Sequence, residues 1–104
     1  MDDSRRLELH EELCALLGSR NVYFQPPSTV EMKYPAIVYN YDGSRDNNAN
    51  NKIYLHRKRY SVTAIDRDPD ANWDEVLLDH FEYCNFSRPF VADNLNHWQF
   101  SLYW

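Results

Sequence analysis

Several groups of residues have types and spacings that would suit chemistry. Asp66, Asp68 and Asp70 set three carboxylates at alternate positions, as in the first half of a calcium-binding loop of the EF-hand kind. Such a loop needs glycine at its sixth position for a sharp turn and a bidentate glutamate at its twelfth; those positions hold Ala71 and Leu77. The three carboxylates therefore read as a strand-ending turn that leads into a helix cap. His80 and Cys84 stand four residues apart, which on a continuous helix would bring an imidazole and a thiolate to one side, half of a zinc site. The other half is missing, because His10, His56 and His97 stand alone and Cys14 has no companion at ligand spacing. A buried histidine beside a buried free thiol is the expectation. Asp93 and His97 have the carboxylate–imidazole relation of a hydrolase triad, but Ser87 and Ser101 lack the adjacent glycines that a strained nucleophile turn requires. That segment reads as a turn whose side chains bond their own backbone.

His56-Arg57-Lys58-Arg59 is the one basic cluster. A strand would split it, sending Arg57 and Arg59 to the face that carries Ser61 and Thr63, and His56 and Lys58 to the other. Arg57 and Arg59 are then exposed, and their guanidinium forks would suit a phosphate backbone or the carboxylates of a neighbour. Glu8, Glu11 and Glu12 are the candidate acidic partners in an adjacent copy.

The elements that must position these groups follow from patterning. Asp3 or Ser4 can cap a helix over 4–17, in which Leu9, Leu13, Leu16 and Leu17 form an apolar stripe widened by Leu7 and Cys14, with Gly18 as a left-handed stop. Arg6, His10, Glu11 and Glu12 belong to its solvated side. Val22–Phe24 reads as an edge strand ended by Pro26-Pro27, and Ala36–Tyr41 as a strand closed by Asp42-Gly43. Residues 44–51 are polar and rich in asparagine, which predicts a mobile loop carrying Ser44, Arg45, Asp46, Asn47, Asn48, Asn50 and Asn51. From Lys52 to Asp66 the alternation of Tyr60, Val62 and Ala64 with Arg59, Ser61 and Thr63 predicts a strand with one buried face. A second helix over 72–82, capped by Asp70 or Asn72, turns Trp73, Val76, Leu77, His80 and Phe81 inward. Cys84, Phe86 and Arg88 alternate in a further strand that Pro89 interrupts. After a turn at 93–96, Trp98, Phe100, Leu102 and Trp104 alternate with Gln99, Ser101 and Tyr103 in the last one. The predicted class is α+β: an antiparallel β-sheet with two helices packed on one face, in the order α-β-β-β-α-β-β.

Composition bounds what such a domain would do. One domain over residues 1–104 fits the length of 104 residues and the mass of 12.5 kDa. Two glycines are too few for a phosphate-cradling loop, which needs several unhindered amides converging on one anion. A net charge of −5 opposes nucleic acid except through a local basic patch. The acidic start Met1-Asp2-Asp3-Ser4 lacks the basic and apolar regions of a signal peptide, and no apolar run approaches a membrane span. A soluble chain of the reducing cytoplasm is expected, with Cys14 and Cys84 as free thiols, and no cofactor is called for.

Taken together, Asn21-Val-Tyr-Phe-Gln-Pro-Pro27, Met32-Lys-Tyr-Pro-Ala-Ile-Val-Tyr39, Arg59-Tyr-Ser-Val-Thr63, Asp66-Arg-Asp-Pro-Asp70 and Ala92-Asp-Asn-Leu-Asn-His97 cover most of the chain. In them it resembles the small tail-completion or minor capsid proteins of long-tailed bacteriophages. The resemblance implies a structural protein and no catalysis: a tail terminator of the virion neck, assembled in the host bacterial cytoplasm. Its copies would form a ring, often a hexamer, that caps the tail tube, meets the head connector and leaves a lumen for DNA. A ring of identical subunits joins one face to a different face. That fits Arg57 and Arg59 on one side and Glu8, Glu11 and Glu12 on the other, with the loop at 43–51 ordering or lining the lumen on assembly. The competing readings are a small nucleic-acid-binding module using the Arg57/Arg59 strand face, and a small metal-dependent enzyme.

Overall fold

The structure is a computed structural model that describes residues 4–42 and 58–104. Its elements are α1 (Ser4–Leu17), β1 (Val22–Phe24), β2 (Ala36–Tyr41), β3 (Arg59–Asp66), α2 (Trp73–His80), β4 (Cys84–Ala92) and β5 (Leu95–Tyr103). The class and order are those expected from the pattern. The five strands form one sheet in the order β1-β2-β3-β5-β4. One pairing departs from expectation: β1 runs parallel to β2, with Val22 opposite Ile37, while every other pair is antiparallel. The connection from β1 to β2, residues 25–35, is long enough to return the chain to the same end of the sheet.

Period-two alternation decides which face is buried. Ile37 and Tyr39 on β2, Tyr60, Val62 and Ala64 on β3, and Trp98, Phe100 and Leu102 on β5 share one face. Against it lie Leu9, Leu13 and Cys14 of α1 and Leu77 and Phe81 at α2, forming a single core. Helix α1 packs on β1 and β2, and α2 on β4, so both helices cover the same side. The opposite face carries Val38, Ser61, Thr63, Gln99, Ser101 and Tyr103, all half-buried. One row on that side is more enclosed: Ala36, Ile65, His97 and Phe90 are in register across four strands, with Phe90 and His97 stacked 4.6 Å apart at 14°.

Local chemistry sets the ends. Gly18 stops α1 with φ 81°, and its amide donates to the Cys14 carbonyl at 2.9 Å. Asn72 sits at the N-cap of α2, but its side chain makes no capping bond and donates instead to Glu75 at 3.3 Å. The helix start rests on Asp74 and Glu75 in its first turn, which favour the positive end of the dipole. The three aspartates make the expected turn: Asp66 accepts from the Asp68 amide and Asp68 from the Asp70 amide. Asp66 also accepts from Trp73 Nε1 at 2.8 Å, tying α2 to the end of β3.

Other sequence expectations are corrected. Pro89 does not interrupt β4, because that strand pairs only with β5 and the free edge needs no donor there. Asp93 and Asn94, both at positive φ, close a two-residue hairpin between Ala92 and Leu95, so β5 begins at Leu95 rather than Trp98. Leu7 is 52% exposed and lies outside the apolar stripe. His80 is exposed and not part of the inward stripe of α2; the helix ends there, which leaves Cys84 in β4 and breaks the helical His80–Cys84 relation. Residues 43–57, including the expected loop and Arg57, lie outside the described residues.

Phe100 is almost wholly buried at the centre of the core. Phe100→Ala is expected to lower unfolding free energy by about 3–5 kcal/mol, whereas Val91→Ala, on an exposed site, should shift it by less than about 0.5 kcal/mol. Urea denaturation of both variants checks this; equal losses would contradict the assigned core.

Candidate functional site

Tyr39 has no exposed surface, so its hydroxyl needs partners inside the fold. A buried hydroxyl without partners costs stability, and α1 supplies two partners. Arg6 Nη1 donates to the Tyr39 oxygen at 3.3 Å, and His10 Nδ1 lies 2.8 Å from it. With Arg6 donating, the hydroxyl hydrogen is directed at Nδ1, which assigns His10 as the neutral tautomer protonated on Nε2. Burial lowers the His10 pKa below its ordinary value, and the nearby positive charges of Arg20 and Arg6 push the same way. The Arg6 guanidinium also lies 4.3 Å from the centre of the Phe24 ring. Arg6 and His10 are thus anchors of α1 on β2 and not part of a purely solvated face. Period-four spacing on the helix was the only sequence signal, and it does not reveal a partner 29 residues away.

The charged residues singled out for an interface fall on two sides of the domain. Arg59 is on the uncovered sheet face, as its alternation requires, yet it is engaged within the chain: its Nε donates to Asp42 at 2.8 Å. The Tyr103 hydroxyl and the Asp42 carboxylate together raise its pKa further. Glu11 binds Arg20 through both carboxylate oxygens, at 2.8 and 2.9 Å, and this pairing holds its pKa below the ordinary carboxylate value. Glu12 accepts from His80 Nε2 at 2.7 Å, linking α1 to α2. Glu8 is exposed and has no ion pair among the described residues.

Glu8, Glu12 and His80 share one concavity. A cleft of about 470 Å³ opens between α1, the end of α2 and the end of β5. Glu82 adds a further carboxylate, and Phe81 and Trp104 meet edge-on at 6.0 Å to form apolar lining. Trp104 is held in place by donating its Nε1 hydrogen to the Arg5 carbonyl at 2.7 Å. Arg5 lines the same cleft, but the three carboxylates of Glu8, Glu12 and Glu82 outnumber it, and with the aromatic surface they suit a further cationic side chain.

Catalytic and metal groupings do not assemble among the described residues. His97, within β5 rather than in the turn, bonds the carbonyl of Leu95 through Nδ1 at 3.0 Å and makes no bond to Asp93 among the described residues. No group of three or more His, Cys, Asp or Glu side chains could hold a metal ion among the described residues. Cys14 and Cys84 are free, and burial raises both thiols, Cys84 to about 11. No described helix is long and apolar enough to cross a membrane. No family model, curated protein or solved structure matches this chain.

Three outcomes follow from this geometry. Tyr39→Phe leaves Arg6 and His10 without their shared partner and should cost about 1 kcal/mol in urea denaturation. Because the folded-state pKa of His10 lies below the unfolded value of 6.5, both states are neutral above that pH. As pH falls below 6.5 the unfolded chain takes the proton first, so stability drops until the folded pKa is passed. His10→Gln should remove this part of the loss between pH 7.5 and 5.5; an unchanged profile would contradict the assignment. At pH 8 a thiol reagent should label Cys14 and Cys84 far more slowly in the folded chain than in urea.

Proposed function

We propose that this chain is a structural subunit of a bacteriophage neck, whose copies form a ring that terminates the tail tube and joins the tail to the head connector. The observation that carries the reading is the one-sided sheet. Among the described residues, five strands present a half-buried face of mixed polar and apolar side chains with no helix over it, while Glu8, Glu12 and Glu82 line a cleft on the helical side. A surface of this kind is suited to a neighbouring copy, and the two sides differ, as head-to-tail contact requires. The neck itself is the setting implied by the likeness of residues 21–27, 32–39, 59–63, 66–70 and 92–97 to tail-completion proteins. Its partners would then be further copies of the chain, the major tail tube protein and connector proteins, with DNA passing through the lumen and the virion as its place of action.

The nucleic-acid reading is weakened by Arg59, whose guanidinium would have to leave Asp42 to meet a phosphate. The ring reading makes no such demand, because a neighbour can add to that pair.

Deletion of the gene in the phage that encodes it tests the proposal. Electron microscopy should show filled heads and tails that fail to join, and a plasmid copy should restore joined particles. Normal joined particles without the gene would overturn it.

A further inference from the structure

We propose that Arg88 of one copy enters the acidic, aromatic cleft beside α1 and α2 of the next copy. The inference rests on the assembly reading and names the contact that would build it.

Strand β4 begins with its core side in register: Cys84 faces Leu102 and Phe86 faces Phe100. Unbroken alternation would send Arg88 to that same side, into the core. A bulge between Phe86 and Arg88 inserts Ser87 and sets Arg88 opposite Gln99 instead, on the uncovered face. Bulges of this kind re-aim a side chain, and here the re-aimed residue is a cation on a rigid strand. Its Nε reaches Gln99 only at 3.4 Å, and its guanidinium lies 4.8 Å from the centre of the Phe90 ring. It has no carboxylate partner among the described residues, unlike Arg20 with Glu11 and Arg59 with Asp42. Lys33, Arg67, Arg5 and Arg6 also lack one, but the first two lie in connections and the last two on α1 rather than on the sheet.

The cleft is complementary in charge and in shape of chemistry. Glu8 and Glu82 are exposed and have no ion pair among the described residues, and Glu12 shares its carboxylate with His80. Trp104, half-buried and packed edge-on against the buried Phe81, offers ring surface to a planar guanidinium and its methylenes. A cation entering there meets the Glu8 and Glu82 carboxylates, which outnumber the lining Arg5, and Arg88 leaves a site where, among the described residues, an amide and a ring attend it. The donor lies on the uncovered sheet face and the acceptor on the helical side. The contact is therefore not self-complementary, and it repeats from copy to copy until a ring closes.

Charge reversal tests the contact on the full chain. Arg88→Glu and Glu82→Arg should each weaken self-association by about tenfold or more in sedimentation, and the double variant should regain most of it. Neither should alter the far-ultraviolet spectrum or the melting temperature of the dilute chain, because both sites are exposed. The same set is read by restoration of joined particles in the gene-deleted phage: each single variant fails and the double succeeds. Single variants that associate and restore joining like the parent would overturn the contact and leave the neck reading standing. So would a double variant no better than the singles. A deleted phage that still joins heads to tails overturns the neck reading, and a parent chain that shows no association in either assay overturns both.

Discussion

A five-stranded sheet has two faces, and the two described helices cover only one of them. This imbalance governs the rest of the structure. Apolar side chains must collect on the covered face, and they do so with period two along β2, β3 and β5. The uncovered face must satisfy its own polar groups and still shield the sheet from water. It does so with cross-strand pairs of moderate size, Ser61 with Ser101 and Thr63 with Gln99, and with one enclosed row from Ala36 to Phe90. Burial of a whole tyrosine beneath α1 then creates a demand for partners, which Arg6 and His10 meet.

The sheet edges steer any neighbour toward the faces. A free strand edge invites pairing with another chain, and both edges here are blunted. β1 is three residues long and soon followed by Pro26-Pro27, while β4 carries a bulge at Ser87 and a proline at 89. Extension of the sheet into a second copy through either described edge is therefore disfavoured. In this light the bulge serves two ends: it spoils the edge as a template and turns Arg88 outward.

Element types and most limits were legible in the sequence because they rest on local rules. Gly18 marked the end of α1, and alternation from Arg59 and from Trp98 marked two strands and their buried sides. Three features were not legible, each for a physical reason. The parallel pairing of β1 depends on how residues 25–35 route back across the sheet, which no local period encodes. The bulge was hidden because Cys84, Phe86 and Arg88 keep an unbroken alternation in sequence, so Arg88 read as following Phe86. The tyrosine anchor was hidden because Arg6 and His10 look like surface residues until Tyr39 is placed beneath them. Of the interface candidates, Glu8 and Glu12 proved to line one cleft, while Glu11 and Arg59 proved to be paired within the chain.

Head-to-tail assembly, as proposed, would bury two different surfaces of one small domain together. Hydroxyl-radical footprinting of dilute and assembled chain measures this directly, side chain by side chain. Phe90 and His97 on the sheet face and Tyr83 and Trp104 at the cleft should lose reactivity in the same transition, while Val30 and Met32, in the connection between β1 and β2, are unchanged. Assembly that leaves both sets as reactive as in the dilute chain, or protects only one of them, would contradict it.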